Sequence, residues 1–130
     1  MHAGSCLCGA VRIQVDGEFE HAAEACHCVQ CRKQTGHFLA AVNIRRSRLK
    51  VDGEENVGWY RSSDEVERGF CTACGSTLFW RPTMAGYAWT AVALGLFDGP
   101  TGLRISKHTF VGDQGDYYDI ADGVPQSEAF

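Results

Sequence analysis

The chain has 130 residues, of which 45% are apolar and 22% charged, the composition of a globular protein with room for one hydrophobic core and not for two; this excludes disorder. Sixteen acidic residues against twelve basic ones leave a net charge of -4, which argues against a nucleic-acid partner bound through a basic surface. The best apolar run, Tyr87–Phe97, falls short of the roughly 18–20 residues of a membrane helix, so no membrane span is expected.

Residues Met1–Cys6 carry neither a basic n-region nor an apolar h-region, and the expected compartment is the cytosol. Val11, Ile13 and Val15 alternate with polar residues between Gly9 and Gly17, predicting a half-buried strand. Glu18–Ala25 is polar and reads as a short lead into a cysteine cluster, which Thr35-Gly36 closes. His37–Ile44 reads as a buried strand, Arg45–Arg48 as a polar turn, and Leu49–Gly53 as a short strand with its turn. Trp59–Ser62 and Val66–Phe70 read as strands flanking Ser63–Glu65, and Thr72–Ser76 as a tight turn with Gly75 where positive φ is often needed. Leu78–Arg81 is a strand stopped by Pro82, Ala88–Phe97 another closed by Asp98–Pro100, and Ile105–Val111 the last. Beyond Gly112 the chain is acidic, and Tyr117, Tyr118 and Ile120 predict a short helix or an ordered loop packed by aromatics. No stretch holds helical periodicity over a dozen residues. The expected fold class is therefore mostly β and antiparallel with one or two short helices, a single domain over 1–130 with its core at about 4–125.

Seven cysteines carry the chemistry, as Cys6-x-Cys8, Cys26-x-Cys28-x-x-Cys31 and Cys71-x-x-Cys74. An odd number leaves one over from any full disulfide set, and a reducing compartment disfavours disulfides. Pairs at these spacings let two thiolates reach one ion at about 2.3 Å. Cys26, Cys28 and Cys31 most easily form one unit, leaving Cys6 and Cys8 to join Cys71 and Cys74 across most of the chain. Four thiolates saturate a zinc ion and mark a structural site, whereas three leave an exchangeable fourth position, the pattern of a catalytic one. Two alternatives stay open for the trio. One is a second structural zinc completed by His21, His27 or His37. The other is a redox-active C-x-x-C, which belongs at the start of a helix in a βαβ unit; no such unit is evident here.

The segments Gly4–Val11, Cys26–Gly36, Phe70–Ser76 and Asp122–Pro125 together resemble the glutathione-dependent formaldehyde-activating enzyme family, and the resemblance runs from Gly4 to about Pro125. It implies a β-tent fold, shared with methionine sulfoxide reductase B, the ligand domain of cereblon and the zinc-binding Rab exchange factor. It implies two Zn2+ per chain: a structural ion on Cys6, Cys8, Cys71 and Cys74, and an active-site ion on Cys26, Cys28 and Cys31. The implied reaction joins glutathione to formaldehyde as S-(hydroxymethyl)glutathione, formally a carbon–sulfur lyase run in reverse. Lys107–Asp119 resembles a subgroup of the family rather than its founding enzyme.

Such a reaction needs a thiolate, an aldehyde and a proton. Three thiolates leave a zinc ion a poor Lewis acid, which favours delivery of the substrate's sulfur over activation of the carbonyl. Arg32 and Lys33 follow the trio and could pair with the carboxylates of glutathione, the alternative being solvated loop charges. His27 and His37 are candidates for proton transfer. Trp59 and Tyr60 are candidates for pocket walls, though strand aromatics are more often core. Arg45, Arg46, Arg48 and Lys50 read as an anion site or, given the acidic total, as one solvated turn. The expectation is a cytosolic zinc enzyme acting on a small thiol, glutathione or similar, and an aldehyde. The rival is a non-catalytic zinc module that binds a small thiol ligand or a protein partner.

Overall fold

The computed structural model describes residues 1–130 as ten strands and one α-helix. In chain order these are β1 (His2–Ser5), β2 (Arg12–Val15), β3 (Ala23–Cys26), α1 (Val29–Thr35), β4 (Leu39–Arg45), β5 (Leu49–Asp52), β6 (Val57–Ser63), β7 (Val66–Cys71), β8 (Thr77–Pro82), β9 (Trp89–Ala93) and β10 (Ile105–Thr109). A small sheet has the order β1-β2-β5, and a large one β10-β3-β4-β9-β8-β7-β6. Val11, Ile13 and Val15 point inward, as their alternation predicts, and meet Val42, Ile44, Leu78, Phe79, Val92 and Leu96 from the large sheet and its edge. Each such side chain contributes about 1.5–3 kcal/mol when fully buried. Cys6 and Cys71 belong to the same core. No helix is long and apolar enough to cross a membrane.

Several elements differ from the sequence expectation, each for a physical reason. Strand β1 has no β-branched residue; it exists because His2–Ser5 pairs antiparallel with Arg12–Val15. Strand β3 lies in the segment read as a polar lead-in, and its inward residues, Ala23 and Ala25, are fully buried but too small to mark a period-two pattern. It pairs antiparallel with β4 but parallel with β10, so the large sheet is mixed rather than wholly antiparallel. Helix α1 has only 7 residues, too few to display a periodicity. The strand expected over Ala88–Phe97 ends at Ala93 and gives way to a 3-10 turn at Leu94–Leu96. The acidic C-terminal segment, by contrast, takes the second of its two expected forms, an ordered loop: His108 N–H donates to Pro125 O and Ser127 N–H to His108 O, both at 2.9 Å.

Gly4 joins the two sheets. It forms an isolated antiparallel bridge with Phe97, and a Cβ there would lie 2.1 Å from the carbonyl oxygen of Leu96. Gly4→Ala must push the small sheet off the 3-10 turn, and overpacking of this kind costs about 1–3 kcal/mol. Thermal unfolding of the variant is expected to show a lower Tm; an unchanged Tm would contradict the close approach.

Candidate metal centres

The first cysteine group is built from two similar turns. Cys6 N–H donates to Val11 O at 2.9 Å and Gly9 N–H to Cys6 O at 3.2 Å. Cys71 N–H donates to Ser76 O at 3.0 Å and Gly75 N–H to Cys71 O at 2.8 Å. Each chain reversal passes through a left-handed glycine, Gly9 at φ 84° and Gly75 at φ 79°, the second as the sequence suggests. Leu7 N–H crosses to Ser76 Oγ at 3.0 Å and locks one turn to the other. The four sulfurs lie within 4.8 Å of one another, with Cys6–Cys8 at 3.6 Å and Cys8–Cys71 at 3.8 Å. Sulfurs at the corners of a tetrahedron with bonds of about 2.3 Å sit about 3.8 Å apart. The spacing therefore suits one tetrahedral ion and is far too long for a disulfide. Val11 N–H points at Cys6 Sγ at 3.3 Å, and the side chain and backbone of Ser76 hold the Cys74 thiol down at about 5, favouring the thiolate a metal needs.

The second group grows from the end of β3 into the first turn of α1. Cys26 closes the strand and Cys28 is the helix N-cap, its Sγ accepting the Cys31 N–H at 3.3 Å. Gly36 ends the helix in the left-handed conformation. The three sulfurs lie within 4.8 Å of one another, Cys31 buried and the others half-buried. Hydrogen bonds from Cys26 and Cys31 hold Cys28 at about 2, and the same closeness pushes Cys31 up. The C-x-x-C does open a helix, contrary to expectation, because the short helix was invisible in the sequence. Its flanking strands β3 and β4 run antiparallel, so the βαβ unit of the redox motif is still missing.

No histidine joins this trio. His21 packs edge-on against Trp89 at 4.5 Å, and His37 packs among Phe38, Tyr117 and Tyr118. His27 is 1% exposed and both its ring nitrogens are taken: Nδ1 by Tyr118 OH at 2.6 Å, Nε2 by His108 Nδ1 at 2.8 Å. His108 Nε2 continues the line to Asp122 Oδ2 at 2.7 Å. An ionised Asp122 can only accept, so each proton is assigned in turn: His108 donates from Nε2, His27 donates from Nε2, and the Tyr118 hydroxyl donates to His27 Nδ1. Burial holds His27 below its usual pKa and Tyr118 above, keeping both neutral, while the hydrogen bond from His108 lowers Asp122. His27 is thus a buried link, not a group presented to a substrate.

Arg68 is a site residue that the sequence reading missed. It is 4% exposed and reaches from β7 to the trio, with Nη1 at 3.5 Å and Nη2 at 3.6 Å from Cys31 Sγ. Gln34 Oε1 at 2.9 Å and Gln30 Oε1 at 3.4 Å, both on α1, and Ser62 Oγ at 3.3 Å accept its other hydrogen bonds. Arg68 also lines a cleft of about 530 Å³, shared with Gln30, Lys33, Gln34, Tyr60 and Ser62. Of the predicted substrate contacts, Lys33 and Tyr60 face this cleft. Arg32 does not line it, but its Nε is buried without a partner. Trp59 stacks on Phe79 under the Arg81 guanidinium, beside a separate cavity of about 400 Å³. In the basic cluster, Arg45 and Arg48 pair with Glu20, and Arg46 donates to Thr90 Oγ1 and Pro82 O.

Two groups of convergent thiols on a mixed β scaffold could each hold a metal ion. Residues 1–113 match the sequence model described as "Glutathione-dependent formaldehyde-activating enzyme", and the chain belongs to that family. It is similar to an "Uncharacterized lyase" of Schizosaccharomyces pombe, 32% identical over 121 residues that cover 93% of this chain and 86% of that protein. It is also similar to the crystal structure of a Rhodobacter sphaeroides protein, with a TM-score of 0.62 and 29% identity over 75% of this chain and 89% of the other. The family match ends before Tyr118 and Asp122, so both ends of the histidine line come from the segment beyond it.

The hydrogen-bond line makes a specific prediction. Nitrogen NMR at neutral pH should find His27 and His108 both as Nε2–H tautomers, and Tyr118→Phe, which strips His27 Nδ1 of its donor, should cost about 1–3 kcal/mol of stability. A Nδ1–H tautomer at either ring, or an unaltered stability, would contradict it.

Proposed function

We propose that the chain is a zinc-dependent enzyme of the carbon–sulfur lyase type that makes or breaks a thiol–aldehyde adduct, with glutathione and formaldehyde as the substrate pair and aldehyde detoxification as the outcome. The observation that carries this reading is the donor count. Cys6, Cys8, Cys71 and Cys74 would close a structural Zn2+, whereas Cys26, Cys28 and Cys31 would hold a second Zn2+ with three sulfurs, the one histidine between them being fully engaged elsewhere. A Zn2+ at the trio supplies a cation that lowers the pKa of an incoming thiol. The family description supports the substrate pair. Seven free thiols fit a reducing cytosol.

The chain's own residues bind and orient. Glutathione presents two carboxylates. Lys33 stands at the cleft beside α1 as a cation for one, and the half-buried Arg32, next to it in sequence but outside the cleft lining, is the candidate for the other. The cleft's volume lies within the usual range for small-molecule sites, roughly 300–1,000 Å³. The reaction balances without an oxidant: the sulfur–carbon bond forms, the carbonyl π bond breaks, and the thiol's proton ends on the former carbonyl oxygen. In the reverse direction the same proton returns to sulfur.

Exchange NMR of formaldehyde with glutathione, with and without protein, tests the reading. Wild-type protein should speed adduct exchange at least about tenfold over the uncatalysed rate, a barrier change of about 1.4 kcal/mol. Cys31→Ser should remain folded and return the rate to background. Cys74→Ser should unfold, since a structural zinc contributes roughly 10–16 kcal/mol. Background rates for every thiol tried would leave only a binding module, and a stable, folded Cys74→Ser would overturn the division of the ligands.

A further inference from the structure

Arg68 is a buried cation without a carboxylate. The chain's ion pairs all lie elsewhere, and the oxygens around Arg68 belong to Gln30, Gln34 and Ser62, which are neutral. A guanidinium stays charged at any physiological pH, and a buried charge without a counter-charge is strongly destabilising. The partner within reach is the sulfur trio, Cys31 Sγ receiving both Nη atoms, and that trio would be anionic with the proposed metal bound. The quartet has no such neighbour: the outside donors to its sulfurs are the backbones of Ala10, Val11 and Ser76 and the Ser76 hydroxyl, all neutral. The two cysteine groups are therefore set apart by charge as well as by donor count.

Three thiolates around a divalent cation carry one net negative charge, and a fourth thiolate makes it two. We infer that Arg68 is a positioning residue whose buried charge offsets that second negative charge, so that the trio's metal accepts an anionic sulfur ligand in preference to a neutral one. The inference rests on the proposed three-sulfur site and adds what that site selects. Gln30 and Gln34 serve as neutral props, one on each Nη of the fork; a carboxylate in either place would spend the charge before a ligand arrived.

The test uses the full chain loaded with Co2+, whose visible spectrum reports thiolate ligation, titrated at one pH with two probes. 2-Mercaptoethanol is a thiol with no other charge, so lost carboxylate pairing cannot imitate the effect; imidazole is a neutral donor. Arg68→Gln and Gln34→Glu should each weaken 2-mercaptoethanol binding about tenfold while leaving imidazole within about twofold, and Arg68→Lys should lie between. Gln34→Glu keeps the arginine and its hydrogen bond, so it answers even if Arg68→Gln does not fold. Equal weakening of both probes would mean a merely structural arginine and would overturn the inference, as would thiol binding unchanged in Gln34→Glu. A wild-type cobalt spectrum that neither probe perturbs would instead remove the open fourth position, and the inference with it.

Discussion

Four sulfurs drawn from two distant turns meet where the small sheet leans on the large one, and the arrangement of both sheets follows from that meeting. Cys6 and Cys71 are core residues, packed with Ile13, Leu78 and Val92, so the thiols sit at the edge of the apolar interior rather than on a loop. Thiolates this close repel one another strongly unless a cation lies between them. With a cation the same four groups become a cross-link between the N-terminal turn and the turn after β7. Gly4, immediately before that cross-link, is then pressed against the Leu96–Phe97 backbone, which brings the far end of β9 into the same junction.

The trio obeys a different logic. Its three sulfurs come from one short stretch, shaped by a strand end and a helix N-cap, and need no long-range closure to form. What reaches it from afar is polar: Arg68 from β7, and on the other side the Tyr118–His27–His108–Asp122 line that ties the C-terminal segment to the loop between Cys26 and Cys28. In the proposed reading one group, with its metal, holds the protein together. The other is held in place by the protein and stands next to the cleft that carries Lys33 and Tyr60.

The cysteine partition and most strands were legible because their signals are local. Spacing within a turn is visible to the eye, and Val11, Ile13 and Val15 declare their face by alternation. The strands β1 and β3 were not, because glycine, serine and alanine leave no hydrophobic period, and their pairing partners supply the order instead. Arg68 was hidden for a related reason. A charged residue in a strand reads as solvent-facing, and only the helix laid across β7 turns that face inward. His27 drew notice for its place between two ligands, but its partners stand 81 and 91 positions away, and nothing local announces them.

In the proposed reading the two cysteine groups hold their metals differently, one sealed and one open. Timed release of Zn2+ to a mild chelator, followed alongside circular dichroism on the two-zinc protein, measures this directly. Two kinetic phases of one ion each are expected: a fast one with the β signal intact, and a slow one that coincides with unfolding. Release of both ions in a single phase, or two ions equally inert to the chelator, would contradict it.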